Sequence, residues 1–277
     1  MKKLDIHETQ QIAYQILCFI ADICERNNLR YYLAWGTLIG AIRHNGFIPW
    51  DDDVDIMMPR LDYRKFISIM RHSSNKKYKL YRIGTKDDYY YSLARIVDTD
   101  TIILGERKDP PQQCDCGIFV DIYPLDFVGS DIDEAKKYFN LQEHDEWLKT
   151  LALQKKYVAS RSAWYNTILK VPFFLHAKAK GYAYFYKKME SRAKRSFNPD
   201  AKYCSSCYGT GGCGADVLIF KAEWFSNAIP HRFGERDFMI PNGYDHILRQ
   251  VYGDYMQLPP LEDRVGHHEY TAYVLNE

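Results

Sequence analysis

The feature that most constrains this chain is a run of four aspartates within five residues: Asp51, Asp52, Asp53 and Asp55. Carboxylates spaced this closely repel one another unless cations neutralise them. Apolar Val54 and Ile56 alternate with the acids, so we predict a strand over residues 53–58, with Asp51, Asp53 and Asp55 sharing one face. Because magnesium prefers hard oxygen ligands together with substrate phosphates, the run indicates a divalent metal site.

Two other interpretations of the aspartates remain open. A solvated acidic turn is one, although the intervening apolar residues disfavour it. The other is a calcium-binding EF-hand loop, in which Asp51, Asp53, Asp55 and Asp62 would occupy positions 1, 3, 5 and 12. Position 6 of such a loop needs glycine for its sharp turn, and here it is Ile56.

A second element lies just upstream of the aspartates. The apolar residues 31–35 predict a short strand, Gly36 and Thr37 interrupt it, and residues 38–44 predict a short helix. A strand that passes through Gly-Thr into a helix exposes backbone N–H groups to which a phosphate can bind. The Thr37 hydroxyl and Arg43 add potential donors.

Residues 35–55 resemble the LicD family, within the nucleotidyltransferase-fold superfamily that includes fukutin-related proteins. Gly36-Thr37 matches that pattern's Gly-Ser or Gly-Thr turn, and Asp53-Val54-Asp55 matches its Asp-x-Asp strand. For the third acid of the pattern we choose Asp121, in the apolar strand predicted over 118–123, because a buried carboxylate is costly unless it is ligated or hydrogen-bonded. Asp126, beyond Pro124, is predicted to be a turn or cap residue. Segments 252–256, 258–260 and 264–268 also resemble the family.

The resemblance implies an α+β fold: a nucleotidyltransferase-like mixed β-sheet core flanked by helices, with a helical insertion and a C-terminal cap. It implies an Mg²⁺-dependent (or Mn²⁺-dependent) enzyme that moves phosphocholine from CDP-choline to a sugar hydroxyl of a glycan or lipid-linked glycan, and releases CMP. The acceptor would be a cell-surface glycopolymer such as teichoic acid or lipopolysaccharide.

The resemblance also implies roles for particular residues. Asp53, Asp55 and Asp121 would hold the metal and support catalysis, with Asp121 helping to deprotonate the acceptor hydroxyl. The residues expected to contact substrate are Gly36, Thr37, Arg43, His44, Trp35, Trp50, Arg264, His267 and His268. A structural hydrogen-bonding role for the two C-terminal histidines remains equally open.

Aromatic residues make up 15% of the chain, and 23 of them are tyrosines. A quaternary ammonium such as choline binds to aromatic faces, for which Trp35, Trp50 and Tyr89–Tyr91 are candidates. Packing within the sheet is the alternative for each of them.

The periodicity predicts three parts: a catalytic core over 1–130, a mostly helical insertion over 131–200, and a segment over 201–277 that packs back on the core. In the core we predict helices over 7–26 and 61–71 and strands over 78–83, 91–97 and 101–104, and a further helix is predicted near 244–252. Residues 170–195 hold eight basic residues against one acid, with aromatic residues between them. This indicates either a solvated helix face or a docking surface for anionic lipid headgroups or a polyanionic acceptor.

Cys204-x-x-Cys207 with Cys213, or with the Cys114/Cys116 pair, has spacing compatible with a structural zinc site, and free thiols are the alternative. Seven cysteines, an odd number, together with a polar N-terminus and no long apolar run, predict a cytoplasmic protein that could contact the inner face of the membrane.

The formal net charge of +1 gives no reason to expect nucleic-acid binding. Three rival functions remain: another nucleotidyl or CDP-polyol-phosphate transferase on the same fold, an Asp-x-Asp glycosyltransferase, and a non-catalytic membrane-associated binding module.

Overall fold

A computed structural model describes residues 1–105, 116–159, 164–208, 213–266 and 270–275. The helices in these ranges are α1 (Ile6–Arg26), α2 (Trp35–His44), α3 (Arg60–Arg71), α4 (Ile132–Leu153), α5 (Trp164–Lys180), α6 (Tyr182–Arg195), α7 (Ala215–Leu218) and α8 (Tyr244–Tyr252). The strands are β1 (Lys2–Lys3), β2 (Tyr32–Leu33), β3 (Asp55–Pro59), β4 (Tyr78–Tyr81), β5 (Ala94–Asp98), β6 (Thr101–Gly105), β7 (Phe119–Phe127), β8 (Tyr203–Ser205), β9 (Ile219–Lys221), β10 (Ala228–Phe233), β11 (Arg236–Pro241) and β12 (Tyr270–Val274).

The central sheet is mixed, as the sequence predicted. Its strands run in the order β2-β3-β7-β5-β4, with β3 and β7 parallel and the other neighbours antiparallel. The C-terminal end of β7 continues into a pairing with β8, which in turn pairs with β9. The C-terminal part of the chain therefore adds strands to the same sheet.

Helices cover both faces of this sheet. In β3, Ile56 and Met58 belong to a core cluster that includes Ile16 and Ile20 of α1. Met57 points to the opposite face, into a cluster with residues of α4, α6 and β9. This alternation is the period of two expected of a strand buried on both sides.

The first helix begins as the sequence predicts. The Asp5 side chain accepts a hydrogen bond from the Glu8 N–H at 2.8 Å, and the Glu8 carboxylate accepts one from the Asp5 N–H at 3.0 Å. This reciprocal pair is a capping box, which satisfies two N–H groups that the helix itself leaves unbonded.

Several predicted boundaries shift. The predicted strand 31–35 shortens to Tyr32–Leu33, and α2 already begins at Trp35, so Gly36 and Thr37 lie in the first turn of a helix instead of before it. The strand predicted over 53–58 begins at Asp55, so the prediction that Asp53 belongs to it was wrong, and strand geometry does not place Asp51 and Asp53 on the face of Asp55. The strand predicted over 91–97 is Ala94–Asp98.

Strand β7 extends past the predicted end at residue 123, so the interpretation of Asp126 as a turn residue was wrong. Asp126 is 1% exposed and accepts two hydrogen bonds from the guanidinium of Arg60, at 2.6 and 2.8 Å, and one from the Tyr138 hydroxyl at 2.8 Å. Arg60 also bonds Glu190 of α6 at 2.9 Å. This buried network ties the helices of the 131–200 region to the central sheet.

The region predicted to be helical, residues 131–195, contains α4, α5 and α6. None of the helices in the described ranges combines the length and apolarity needed to cross a bilayer.

Candidate functional site

A cavity of about 680 Å³ opens where the first turn of α2 meets the aspartate run and the segment after α8. Its lining residues come from three separate parts of the chain: Trp35, Gly36, Ile39, Arg43, Ile48, Trp50, Asp51, Asp53, Asp55, Tyr252, Asp254, Tyr255, Gln257, Leu258, Pro259 and Pro260. The cavity therefore combines a helix N-terminus, a carboxylate cluster and a mixed aromatic and proline wall.

The first turn of α2 lies against the carboxylates. Its N-cap, Ala34, is extended and offers no side-chain cap, and Trp35 has a left-handed backbone with φ of 48°. A positive φ is unfavourable for a bulky residue and is held only where the surrounding structure imposes it. The Trp35 ring packs edge-on to Tyr123 of β7 and also contacts Phe220 of β9.

Gly36 permits the close approach of Asp51. A Cβ at Gly36 would lie 2.7 Å from Asp51 Oδ2, which is shorter than any ordinary contact. The Asp51 carboxylate therefore lies against the N-terminus of α2, where the helix dipole stabilises negative charge. This same end of the helix is where the sequence predicted a phosphate site.

The loop that carries Asp51, Asp52 and Asp53 is held by hydrogen bonds to its backbone, and the three carboxylates remain clustered. Gln10 of α1 donates to the carbonyl oxygens of Ile48 and Asp51, at 3.2 and 2.8 Å. Carboxylate oxygens of Asp51, Asp52 and Asp53 lie within 4.8 Å of one another. Negative charges on three carboxylates at that separation repel one another, and together they would strongly attract a cation.

Asp55, like Asp51, is a buried carboxylate of the cavity wall. The residue is 7% exposed, and within the described part of the chain its Oδ1 has no hydrogen-bond partner. Burial, together with the charges of Asp53, Asp121 and Asp51, raises the pKa of Asp55 well above its usual value. A buried acceptor without a donor is costly, so this oxygen fits a ligand that the chain itself does not supply.

Thr37 and Asp121 fix the strand that carries Asp55. The Thr37 hydroxyl accepts a hydrogen bond from the Asp55 N–H at 2.9 Å, and it is buried. Asp121 is the register partner of Asp55 on the parallel strand β7, so the structure brings together the two residues that the sequence paired. The role of Thr37 toward a phosphate remains a prediction.

Both oxygens of Asp121 bond Arg95 of β5, at 2.5 and 3.1 Å. The guanidinium lies between the rings of Phe119 and Tyr91, 3.7 and 4.2 Å from their centroids. We chose Asp121 because a buried carboxylate is costly without a partner. The structure supplies that partner, Arg95, from the neighbouring strand β5. The role of Asp121 as a metal ligand remains a prediction.

The carboxylates fit Mg²⁺ on structural grounds. Their oxygens are hard ligands of the kind that Mg²⁺ prefers, they are clustered on one wall of an open cavity, and one buried oxygen of Asp55 lacks a donor. Burial, and after it the neighbouring charges of Asp55, Asp121 and Asp53, also raise the pKa of Tyr123.

The other predicted contact residues divide between the cavity and its rim. Arg43 lines the cavity and donates to the Tyr255 carbonyl at 2.7 Å, which ties α2 to the C-terminal segment. The guanidinium of Arg264 lies 5.4 Å from the centroid of Trp50 and donates to the Pro259 carbonyl. His44 stacks edge-on against Trp50, and burial and Arg43 lower the pKa of its imidazole.

Some predicted residues are placed elsewhere or lie outside the described residues. Of the aromatic candidates, Trp35 and Trp50 line the cavity, whereas Tyr89 is buried and donates to the Leu93 carbonyl. His267 and His268 lie outside the described residues.

The proposed zinc ligands do not share an environment. Cys204 and Cys207 are fully buried, and Cys213 is exposed. Cys114 lies outside the described residues. Within the described ranges, Asp51, Asp52 and Asp53 are the one group of three or more His, Cys, Asp or Glu side chains that is close enough to hold a metal ion. The zinc site remains a prediction.

Sequence reasoning did not select several residues of the cavity, chiefly Tyr252, Asp254 and Tyr255. Tyr252 to Met256 form one of the C-terminal segments that resemble the family, and that signal could have placed them at the site. No local pattern marked Arg95, whose partner is 26 residues away.

Comparison with known proteins gives a family match over the N-terminal half of the chain. A family model described as LicD/FKTN/FKRP, nucleotidyltransferase domain, matches residues 28–150. The lipopolysaccharide cholinephosphotransferase LicD of Haemophilus influenzae is 33% identical over 289 residues, covering 99% of this chain and 100% of that protein. An uncharacterized protein of Rickettsia typhi is 30% identical over 140 residues, covering 50% of this chain and 42% of that protein. The human ribitol 5-phosphate transferase FKRP is 45% identical over 38 residues, covering 14% of this chain and 8% of that protein.

Proposed function

This chain belongs to the LicD family, and on that premise we propose that it transfers phosphocholine from CDP-choline to a sugar hydroxyl of a cell-surface glycan or lipid-linked glycan, releasing CMP. The full-length similarity to a lipopolysaccharide cholinephosphotransferase supports lipopolysaccharide as the acceptor class, with teichoic acid as an alternative glycopolymer. The central sheet, by the same family membership, is proposed to be of the nucleotidyltransferase type.

One observation carries the proposal: the unpartnered buried oxygen of Asp55 belongs to a residue in the lining of a cavity that also contains Arg43, Trp35 and Trp50. Asp53 and Asp55 would hold Mg²⁺ there, and when bound the ion supplies charge neutralisation for the donor's pyrophosphate. Asp121 is the third proposed ligand from the sequence pattern, and Asp51 competes with it because Asp51 lines the cavity directly.

The chain's own residues bind and orient the substrates. The first turn of α2 around Gly36 presents backbone N–H groups toward the cavity, where a phosphate oxygen binds. Arg43, held by the Tyr255 carbonyl, places positive charge beside it. Because phosphoryl transfer depends mostly on positioning and charge, these groups account for much of the expected rate.

The choline group would contact Trp35, which is held in place by Tyr123 and by its left-handed backbone. Trp50 already has the Arg264 guanidinium over its ring, so it is less available to a second cation. Trp35 is therefore the proposed cation–π partner of the donor.

Asp121 is the proposed residue that helps deprotonate the acceptor hydroxyl. Arg95 fixes the orientation of that carboxylate through two hydrogen bonds, and the rings of Tyr91 and Phe119 fix Arg95 in turn. A positioned base of this kind contributes to catalysis only when its geometry is maintained.

We place the protein in the cytoplasm. The described cysteines are free thiols, a state that a reducing compartment maintains. The division into a core (1–130), an insertion (131–200) and a C-terminal segment (201–277) is likewise a proposal.

The direct test is to incubate the protein with CDP-choline, MgCl₂ and candidate glycans and to measure which product is released. Phosphocholine transfer releases CMP in step with glycan labelling. Pyrophosphate release would instead indicate nucleotidyl transfer, turnover of CDP-ribitol or CDP-glycerol would indicate a polyol-phosphate transferase, and turnover of a UDP-sugar would indicate a glycosyltransferase. Asp53→Asn should abolish CMP release, whereas the matched exposed variant Asp200→Asn should retain it.

A further inference from the structure

Helix α5 exposes most of its apolar side chains. Six large apolar residues, which we call the α5 outer face, are between 38% and 62% exposed: Tyr165, Ile168, Leu169, Val171, Phe173 and Leu175. Tyr165, Ile168 and Leu169 are spaced three and four residues apart, and with Pro172 they continue one stripe along the helix. This is the spacing of a helix face that normally packs against something.

The opposite side of α5 is the side that packs against the protein. Ala177 is fully buried, and Phe174 packs against a small cluster that contains Leu148 and Leu151 of α4 and Phe185 of α6. The core of this region is therefore already filled without the α5 outer face. Burying that face would need a partner outside the described chain.

The sequence around the α5 outer face contains no acid over a long stretch. Between Glu146 and Glu190 there is no Asp or Glu, and there are nine basic residues. Two of these pair with acids at the ends of the stretch, Lys149 with Glu146 and Lys188 with Asp145. The other seven are Lys155, Lys156, Arg161, Lys170, Lys178, Lys180 and Lys187, of which Lys170 and Lys178 donate hydrogen bonds to the carbonyl oxygens of Val158 and Ala152.

We propose that the α5 outer face inserts into the interfacial layer of an anionic lipid bilayer, with the surrounding lysines contacting lipid headgroups. A helix with Leu, Ile and Phe on one side and lysines at its borders is the pattern of a helix that lies in the membrane plane. At 17 residues, with Pro172 and Lys170 inside it, α5 lies along the surface and does not span the bilayer.

The composition favours lipid over a protein partner. Protein interfaces are depleted in lysine and enriched in arginine, whereas α5 carries Lys170, Lys178 and Lys180 and no arginine. Trp147 of α4, 38% exposed, lies 5.3 Å from Phe173 and extends the aromatic edge of the face. Tryptophan at the edge of an apolar face is typical of membrane–water interfaces.

A lipid contact was one of the interpretations left open for the basic residues 170–195, and the structure favours α5 over α6 as its location. Much of the basic character of α6 is used within the protein, because Lys188 and Arg192 both bond the buried Asp145. Phe185 and Tyr186 are buried as well. The proposed contact therefore lies on α5.

Vesicle co-sedimentation of the full chain tests the proposal without requiring turnover, so it is independent of the proposed function. We expect binding to phosphatidylcholine vesicles that contain about one third phosphatidylglycerol, and weaker binding at high salt or without the anionic lipid. Ile168→Ser/Leu169→Ser should reduce binding at least tenfold, and Lys178→Gln/Lys180→Gln should reduce it by about fivefold per lysine. The control Leu61→Ser/Leu104→Ser removes exposed leucines from α3 and β6 and should bind normally.

A second readout locates the contact. Brominated acyl chains should quench tryptophan fluorescence in the wild type, and Trp147→Phe/Trp164→Phe should remove most of that quenching. The proposal is overturned if the wild type does not bind anionic vesicles, or if the α5 variant binds as well as the control. It is also overturned if light scattering shows a wild-type oligomer that Ile168→Ser/Leu169→Ser dissociates, because the face would then join two copies of the chain.

Discussion

Replacing Asp55 with asparagine removes a charge that the metal-free fold accommodates poorly. Burial and three neighbouring carboxylates raise the pKa of Asp55 above its usual value of 3.8, so the folded chain holds this proton more tightly than the unfolded chain does. Protonated Asp55 therefore contributes stability that is complete below pH 3.8 and is lost as the pH rises through the raised pKa. The loss is at most about 1.4 kcal/mol per pH unit for a single carboxyl group. The asparagine side chain cannot ionise, so Asp55→Asn lacks this dependence.

The assay is urea unfolding in EDTA at pH 5, 6 and 7, with Asp200→Asn as the control. We expect Asp55→Asn to be more stable than the wild type, by a margin that grows with pH. Each 1 kcal/mol corresponds to about 2–4 °C in the melting temperature of a chain of this size. Added Mg²⁺ should stabilise the wild type and leave Asp55→Asn unchanged. A margin that is constant or shrinks as the pH rises would refute the reasoning, because the charge of Asp55 would then cost the fold nothing.

Two further substitutions test neighbouring parts of the site. Arg95→Met should destabilise the protein by about 3–5 kcal/mol in urea unfolding, because it leaves Asp121 buried without its partner, and Arg95→Met/Asp121→Asn should recover much of the loss. Recovery of none of it would show that Arg95 acts through its ring contacts alone. Gly36→Ala should lower kcat/KM for CMP release at least tenfold, because the new methyl group would displace the Asp51 carboxylate. Circular dichroism should show that the fold is retained. Unchanged kinetics would exclude the Asp51 carboxylate from the site.

Local patterns sufficed where a feature depends on residues close together in sequence. The capping box at Asp5 and Glu8 and the apolar period of α1 are such features, and both were predicted. The register of Asp55 with Asp121 was also accessible, because each lies in an apolar strand where a carboxylate needs a reason to be present.

Boundaries failed where tertiary contacts decide them. Strand β3 begins at Asp55 because its pairing with β7 begins there, opposite Asp121. Strand β7 passes through Pro124 because that position lies after the pairing with β5 ends and before the pairing with β8 begins, so the missing N–H costs no sheet hydrogen bond. Neither circumstance is visible in the local sequence.

Long-range ion pairs were the features that the sequence could not supply. Asp126 was assigned to a turn because its partner, Arg60, lies 66 residues earlier on α3. Arg95 was missed for the same reason: it meets Asp121 only after strands β5 and β7 have paired.

Binding of the donor's pyrophosphate to the aspartate cluster through Mg²⁺ is the central claim. The most direct measurement is calorimetric titration of CDP-choline into the wild type and Asp55→Asn, each with MgCl₂ and with EDTA. We predict measurable affinity for the wild type with Mg²⁺, and at least tenfold weaker binding in EDTA or after the substitution. Equal affinity for the wild type with and without Mg²⁺ would contradict the claim.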